Sequence, residues 1–409
     1  MPRPSPLHLA VALDGAGWHP AAWREPLARP ADLLTPGYWA GLAAEAERGL
    51  LDFVTIEDSL GLQSTRRLEP DRRTDQVRGR LDAVLIAARV APLTSRIGLI
   101  PAVTATHTEP FHISKAIATL DYVSGGRAGL RVQVSARPDE AALFGRRELP
   151  RICVTGRDDP AVRRLAARLL GEAADYIEVV RRLWDSWEDD AEIRDLATGR
   201  FIDRHKLHYI DFVGEHFSVK GPSITPRPPQ GQPVVAALAH GTDAYRLAAG
   251  SADVVFVTPR DAGQARDIAA EVRREQQAAG RADETVHLVA DLVVFLASDP
   301  ATAIARRGRL DGLAGYPYTA DAAVFAGTPA QLADLLQDWQ ASGLSGFRLR
   351  PAAIPEDLVR ITTGLVPELQ RRGAFRRQYQ ARTLRGLLGL GRPANRYAAV
   401  TAGDPGDRP

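Results

Sequence analysis

The stretch RIGLIPAVTATHTEPFHISKAIATLDYVSGGRAGLRVQVS, residues 96–135, decides the fold. Its two ends, RIGLIPAVTA (96–105) and AGLRVQVS (128–135), are short apolar runs rich in strand-forming residues. Between them EPFHISKAIATLDYVS is predicted helical. Two strands joined through a crossover helix run parallel. The same unit recurs in both directions. Upstream lie LHLAVALDG (7–15) and FVTIEDS (53–59). Helices are predicted over 36–51, where Pro36 suits a first turn, and near 79–91. Downstream, a long helix over about 163–187 precedes PVVAALA (233–239), DVVFVT (253–258), VHLVADLVVFLA (286–297) and GFRLRP (346–351). Helices near 243–251, 261–280, 301–309, 328–342 and 356–371 fill the gaps. Eight buried strands separated by helices predict an α/β fold, a parallel sheet closed into a (β/α)8 TIM barrel.

The alternation breaks at about 60–78, 136–162 and 188–232, and a polar, basic extension follows 372. We read residues 1–409 as a single barrel domain with these insertions. Two of them follow strand C-terminal ends, the face on which barrel enzymes build their sites.

The charge balance, 52 basic against 50 acidic residues, gives no electrostatic case for nucleic acid or an acidic membrane as partner. Cys153 is the only cysteine, which excludes an internal disulfide and a thiolate metal centre. No apolar run reaches the roughly 18–20 residues of a membrane span, and no signal segment is evident, so a soluble, cytoplasmic protein is expected. The glycines form neither a P-loop nor a dinucleotide fingerprint. None of Lys115, Lys206 and Lys220 ends a strand, which disfavours Schiff-base chemistry. No metal site is expected: His205 and His208, beside Asp203 and Asp211, read as a solvated loop.

Candidate site residues are therefore the polar groups at strand ends. Asp58 ends the second strand and either caps the next helix or faces a ligand. Thr104 and Thr106 end the third, with His107 just beyond. On the fourth, Arg131 and Gln133 alternate with valines and Ser135 closes the run. An arginine in an apolar strand needs an anion, either an internal carboxylate or a ligand phosphate. His240-Gly241-Thr242 forms a strand-to-helix turn, which either seats a phosphate or caps a helix.

Several longer stretches resemble one family. They are WHPAAWREP (18–26), AAEAERGLLDFVTIEDS (43–59), residues 94–129, DYIEVVRRLWDSWEDDA (175–191), FSVKGPSITPRPPQGQPVV (217–235), FAGTPAQLADLL (325–336), GFRLRPAAIPEDL (346–358) and VPELQRRGAFRRQYQARTLRGLLGLGRPANRY (366–397). In this order, and over most of the chain, they resemble the nitrilotriacetate and dibenzothiophene sulfone monooxygenase branch of the bacterial luciferase-like, flavin-dependent monooxygenases. The resemblance implies an enzyme that takes reduced FMN from a separate flavin reductase. With O2 it would form a 4a-hydroperoxyflavin and oxygenate a small organic substrate, in a homodimer.

Asp58 and Thr104 match flavin-contacting places of that family. The chain departs from it at four others. Leu130 and Arg131 replace Trp and Asn on strand four, and Leu169 and Leu170 replace an Arg-Tyr pair. Ala239-His240-Gly241 replaces a Gly-Ser-Ser turn, and His107 replaces a tyrosine. The phosphate seat would then be rebuilt from Arg131 or His240 with the N–H groups around Gly241. Otherwise the pocket would hold a deazaflavin, or nothing, as in a non-catalytic partner subunit. His107 is the candidate for proton transfer.

Overall fold

The computed structural model describes residues 7–64, 66, 69–151 and 159–398. Cys153 lies outside them. Eight strands form the barrel: β1 (His8–Leu13), β2 (Phe53–Ile56), β3 (Gly98–Thr104), β4 (Gly129–Gln133), β5 (Val234–Leu238), β6 (Val254–Val257), β7 (His287–Leu296) and β8 (Gly346–Pro351). Each pairs in parallel with the next, and β8 closes on β1, His8 facing Gly346. A closed parallel sheet leaves no edge to protect, and nearly every strand residue is buried, as the unalternating apolar runs require.

Helices wrap the sheet with local start and stop signals. Pro36–Arg48 begins behind Thr35, whose side chain accepts the Tyr38 N–H. Pro110–Ser124 stops at Gly125, whose φ of +66° suits a residue without Cβ. Pro160–Asp185, 26 residues long, lays one apolar face on the barrel.

Two features are not anticipated by the periodicity. Strand β7 is ten residues long. His287–Ala290 pairs with β6, while Leu292–Leu296 pairs with a further short strand, Ala323–Gly327. The 188–232 insertion holds two small antiparallel ladders, Glu192–Asp195 with Arg200–Ile202 and Phe212–Val213 with Ser218–Val219.

The extension after 372 folds beneath the barrel. Leu384, Leu388 and Leu390 pack with Phe53, Ile100, Val254 and Val289 at the N-terminal end of the lumen. Gly98 makes this approach possible, because a Cβ there would collide with the Leu384 side chain.

Candidate active site

A cavity of about 650 Å³ opens over the C-terminal ends of the strands. Its walls are the loops after β1 (Asp14–Trp23), β2 (Asp58–Arg80) and β4 (Gln133–Glu140), with Tyr316, Tyr318 and Thr319 from the connection between β7 and β8. The 60–78 and 136–162 insertions both contribute. The β1 loop is held against the end of β8 at Gly17. Its φ is +129°, and a Cβ there would strike the Ala352 carbonyl.

Asp58 serves the fold and faces the cavity. Its Oδ1 accepts the Ser59 N–H at 2.7 Å, and Oδ2 accepts the Ala83 N–H at 3.0 Å, at the start of the helix Ala83–Val90. Burial raises its carboxyl above the ordinary aspartate range, against the pull of these two bonds. Thr104 stands one bond behind the wall. Gln133 Nε2 donates to Thr104 Oγ1 at 2.9 Å and to the Asp58 carbonyl at 2.8 Å, joining the ends of β2, β3 and β4. Ser135 lines the cavity; its N–H donates to Thr106 Oγ1 at 3.0 Å, and its Oγ accepts the Arg137 N–H at 3.2 Å.

The other candidates lie elsewhere. Arg131 points into the lumen beneath, where Nη1 meets Glu57 Oε2 at 2.6 Å, so an internal carboxylate takes the place considered for a ligand phosphate. Glu57 also accepts from Arg348 Nη1 at 3.0 Å. Arg348 holds Asp291 through two bonds of 2.7 and 2.5 Å, and Asp291 in turn pairs with Arg350, which reaches Asp321 at 2.6 Å. Burial alone would raise Glu57, but Arg131, Arg348 and Arg350 hold it below the usual carboxylate range. His240 ends this chain, 3.3 Å from Asp321 and 3.0 Å from Thr258 Oγ1. Neither His240 nor Gly241 lines the cavity. The helix start beside them is already faced by a carboxylate, since Thr242 donates to Glu271 at 2.6 Å, which opposes a phosphate there.

His107 is buried behind the cavity wall and stacked on Phe144 at 5.2 Å, with Nε2 unpartnered. Burial lowers its pKa, so it is neutral at neutral pH. His208 pairs with Glu188 at 2.7 Å, and among the described residues no three metal-ligating side chains gather.

Sequence reasoning missed the cavity's other wall. Asp14 ends β1 as Asp58 ends β2, and it holds Arg80 through bonds of 3.0 and 2.6 Å. The strand-end rule that selected Asp58 applies equally to Asp14. His19 also lines the cavity. Its Nδ1 accepts the Ala21 N–H, which leaves Nε2 to donate to Asp311 at 3.2 Å.

The donor set suits a flavin. Amide and hydroxyl groups of Gln63, Gln133, Ser59 and Ser135 match the polar edge of a ring system, and Trp18, Trp23, Tyr316 and Tyr318 offer flat apolar faces. Among the described residues Arg80 and Arg137 are the arginines of the wall, so a phosphate would be neutralised by one of them.

A closed parallel barrel with a polar cavity at its strand C-termini defines the class, a (β/α)8-barrel enzyme of small molecules. A family profile described as luciferase-like monooxygenase matches residues 18–364. The N-acetyl-S-(2-succino)cysteine monooxygenase of Bacillus subtilis (strain 168) is 31% identical over 96% of this chain and 98% of its own. Component A of the nitrilotriacetate monooxygenase of Aminobacter aminovorans is 30% identical over the same shares. The fold is also that of a riboflavin lyase solved with modified FMN, with a TM-score of 0.82 and 23% identity, covering 96% of this chain and 98% of that one. The chain belongs to the luciferase-like monooxygenase family. It is an oxidoreductase, a monooxygenase of that family.

Proposed function

We propose that the protein takes reduced FMN from a separate flavin reductase and binds it, with the substrate, in the 650 Å³ cavity at the strand C-termini. The observation that carries this reading is the Asp58–Gln133–Thr104 bridge, which fixes three strand ends at the cavity wall. Reduced FMN, when bound, supplies the electrons that activate O2; the protein's part is binding, orientation and exclusion of water. Gln133 orients the Thr104 hydroxyl. Ser135 offers a hydroxyl to the ligand. Asp58, held above its ordinary range by burial, is a cavity group placed to hold a proton at a carboxylate oxygen. His107 keeps the β3 loop packed under Phe144 and does not meet the ligand.

Among the described residues no helix is long and apolar enough to cross a membrane. We further propose that the enzyme works in the cytoplasm as a homodimer. Sedimentation at micromolar concentration checks the second point.

Anaerobic calorimetry with dithionite-reduced FMN, oxidised FMN and a deazaflavin tests the reading. Saturable binding of reduced FMN is expected. Asp58→Ala should weaken it about 10- to 100-fold, the worth of a hydrogen bond to a charged group. Binding of the deazaflavin alone would move the chemistry to hydride transfer. Binding of none would sink the proposal.

A further inference from the structure

A second cavity of about 310 Å³ adjoins the first. The two share Asp14, Gly15, Trp23, Gln76, Val77 and Arg80 as a common wall. The rest of the smaller cavity is largely hydrocarbon and indole, from Pro30, Leu33, Trp39 and Leu81.

Its charged groups and its indole N–H groups are already engaged. Arg80 is held by both oxygens of Asp14 and donates to Ser59 Oγ at 3.0 Å. Glu57 is held by Arg131 and Arg348. The Trp23 indole N–H donates to the Asp75 carbonyl at 2.9 Å, and that of Trp39 to the Leu33 carbonyl at 2.9 Å. A ligand entering here gains by burying apolar area, whereas a charged group would lose its water and find no free partner.

The main cavity points the same way. Among the described residues its arginines are Arg80 and Arg137, and Arg137 is paired with Asp139 at 2.5 Å. One phosphate would engage one of them, and a second multiply charged anion would then lack a counter-ion.

We propose that the smaller cavity is the subsite for the apolar end of the substrate, and that the substrate is an aryl or alkyl compound rather than a polycarboxylate. An apolar cavity of about 150 Å³ holds one benzene ring, so the space here suits a fused bicyclic group or a chain of similar bulk. The proposal rests on the oxygenase reading above and adds the chemical class of its substrate.

The test is equilibrium binding to the full chain. 2-Naphthol and nitrilotriacetate are titrated separately, followed by the fluorescence of the tryptophans, of which Trp23 and Trp39 line the subsite. Saturable binding of 2-naphthol is expected, with none of nitrilotriacetate. Two variants fill the space without touching the main cavity. Leu33→Trp enlarges a lining side chain. Gly79→Leu adds one at a position where a Cβ meets nothing within 4 Å, so it does not threaten the fold. Each should weaken 2-naphthol at least ten-fold and leave the affinity for reduced FMN within two-fold.

Saturable nitrilotriacetate binding in the unaltered chain, or 2-naphthol binding that neither variant disturbs, would overturn the proposal. So would an equal loss of 2-naphthol and reduced FMN in both variants, because the effect would then belong to the whole mouth. Failure of the oxygenase reading shows separately, as an unaltered chain that does not take up reduced FMN.

Discussion

The two ends of the barrel lumen are filled by opposite means. At the N-terminal end, Ala10, Phe53, Ile100, Val234, Val254 and Val289 meet Leu384 and Leu388 of the extension, all of them apolar. Beneath the cavity, the same lumen carries Glu57, Asp291, Arg131, Arg348 and Arg350, all buried and joined in one alternating chain. Arg348 marks the boundary, its guanidinium 4.0 Å from the centre of the Phe256 ring. An apolar layer loses stability in proportion to the atoms removed. A paired layer loses far more when one partner goes than when both do, because the survivor stays buried and charged.

The sharpest way to break this comparison is Asp291→Ala. Asp291 is the carboxylate shared by Arg348 and Arg350, and Arg350 keeps only Asp321 without it. The loss should be about 3–5 kcal/mol, the usual cost of stranding a buried charge, read from the midpoint and slope of urea unfolding. Arg131→Met combined with Glu57→Gln should cost less than Arg131→Met alone, since the pair leaves together. A simple sum of the two single effects would show that the layer is not coupled and would remove the distinction drawn here.

In the apolar layer Leu384→Ala should cost about 3 kcal/mol, transfer of the lost atoms plus the residual cavity. The effect should be nearly additive with Asp291→Ala, because Asp291 bonds within the charged layer and reaches the apolar one through Arg348, which lies over Phe256. Limited proteolysis should then cut within 373–398 in Leu384→Ala and not in Asp291→Ala. Cleavage at the same rate in both would mean that the extension senses the whole barrel.

The same contrast explains what could be read from the sequence. All eight strands were legible, because parallel strands buried on both faces leave unbroken apolar runs. The short strand Ala323–Gly327 was not, since four of its five residues are only partly buried and it pairs with the overhang of β7. Arg131 was legible as a charge needing an anion, but which anion was not. The answer lies in Glu57, just past the end of β2, a strand separated from β4 by β3, so it depends on the register of two strand pairs at once. Asp58, one residue further, drew the attention instead. Successive residues face opposite ways, and the lumen side belongs to Thr55 and Glu57. Arg348, Arg350 and Asp291 carried the signal that singled out Arg131, a charge within an apolar run. At the rim, Asp58 and Ser135 could be picked as strand ends facing the cavity. His240 could not be separated from it by sequence, because β5 ends on the same face but opens toward Asp321 and Thr258.

The smallest expected effect lies at the seam between extension and barrel, where a titrating group sits within the apolar end. His287 Nε2 donates to the Leu388 carbonyl at 2.8 Å, which leaves Nδ1 buried without a partner. Burial, aided by His8 at a ring separation of 4.9 Å and opposed by the Leu388 bond, lowers its pKa to about 4. A proton on Nδ1 would be a buried charge facing no acceptor. The unfolded chain therefore binds this proton at a higher pH than the folded one. Stability is full at neutral pH and above, falls as pH drops below about 6.5, and stops falling near pH 4. A shift of that size costs about 2 kcal/mol at pH 5. Urea unfolding at pH 7.5 and pH 5 should show this loss in the unaltered chain and a smaller one in His287→Gln, whatever stability the variant starts from. Equal slopes in the two proteins would place the acid sensitivity elsewhere, with Asp52, held by His8 and Arg376 below its ordinary range, as the next group to test.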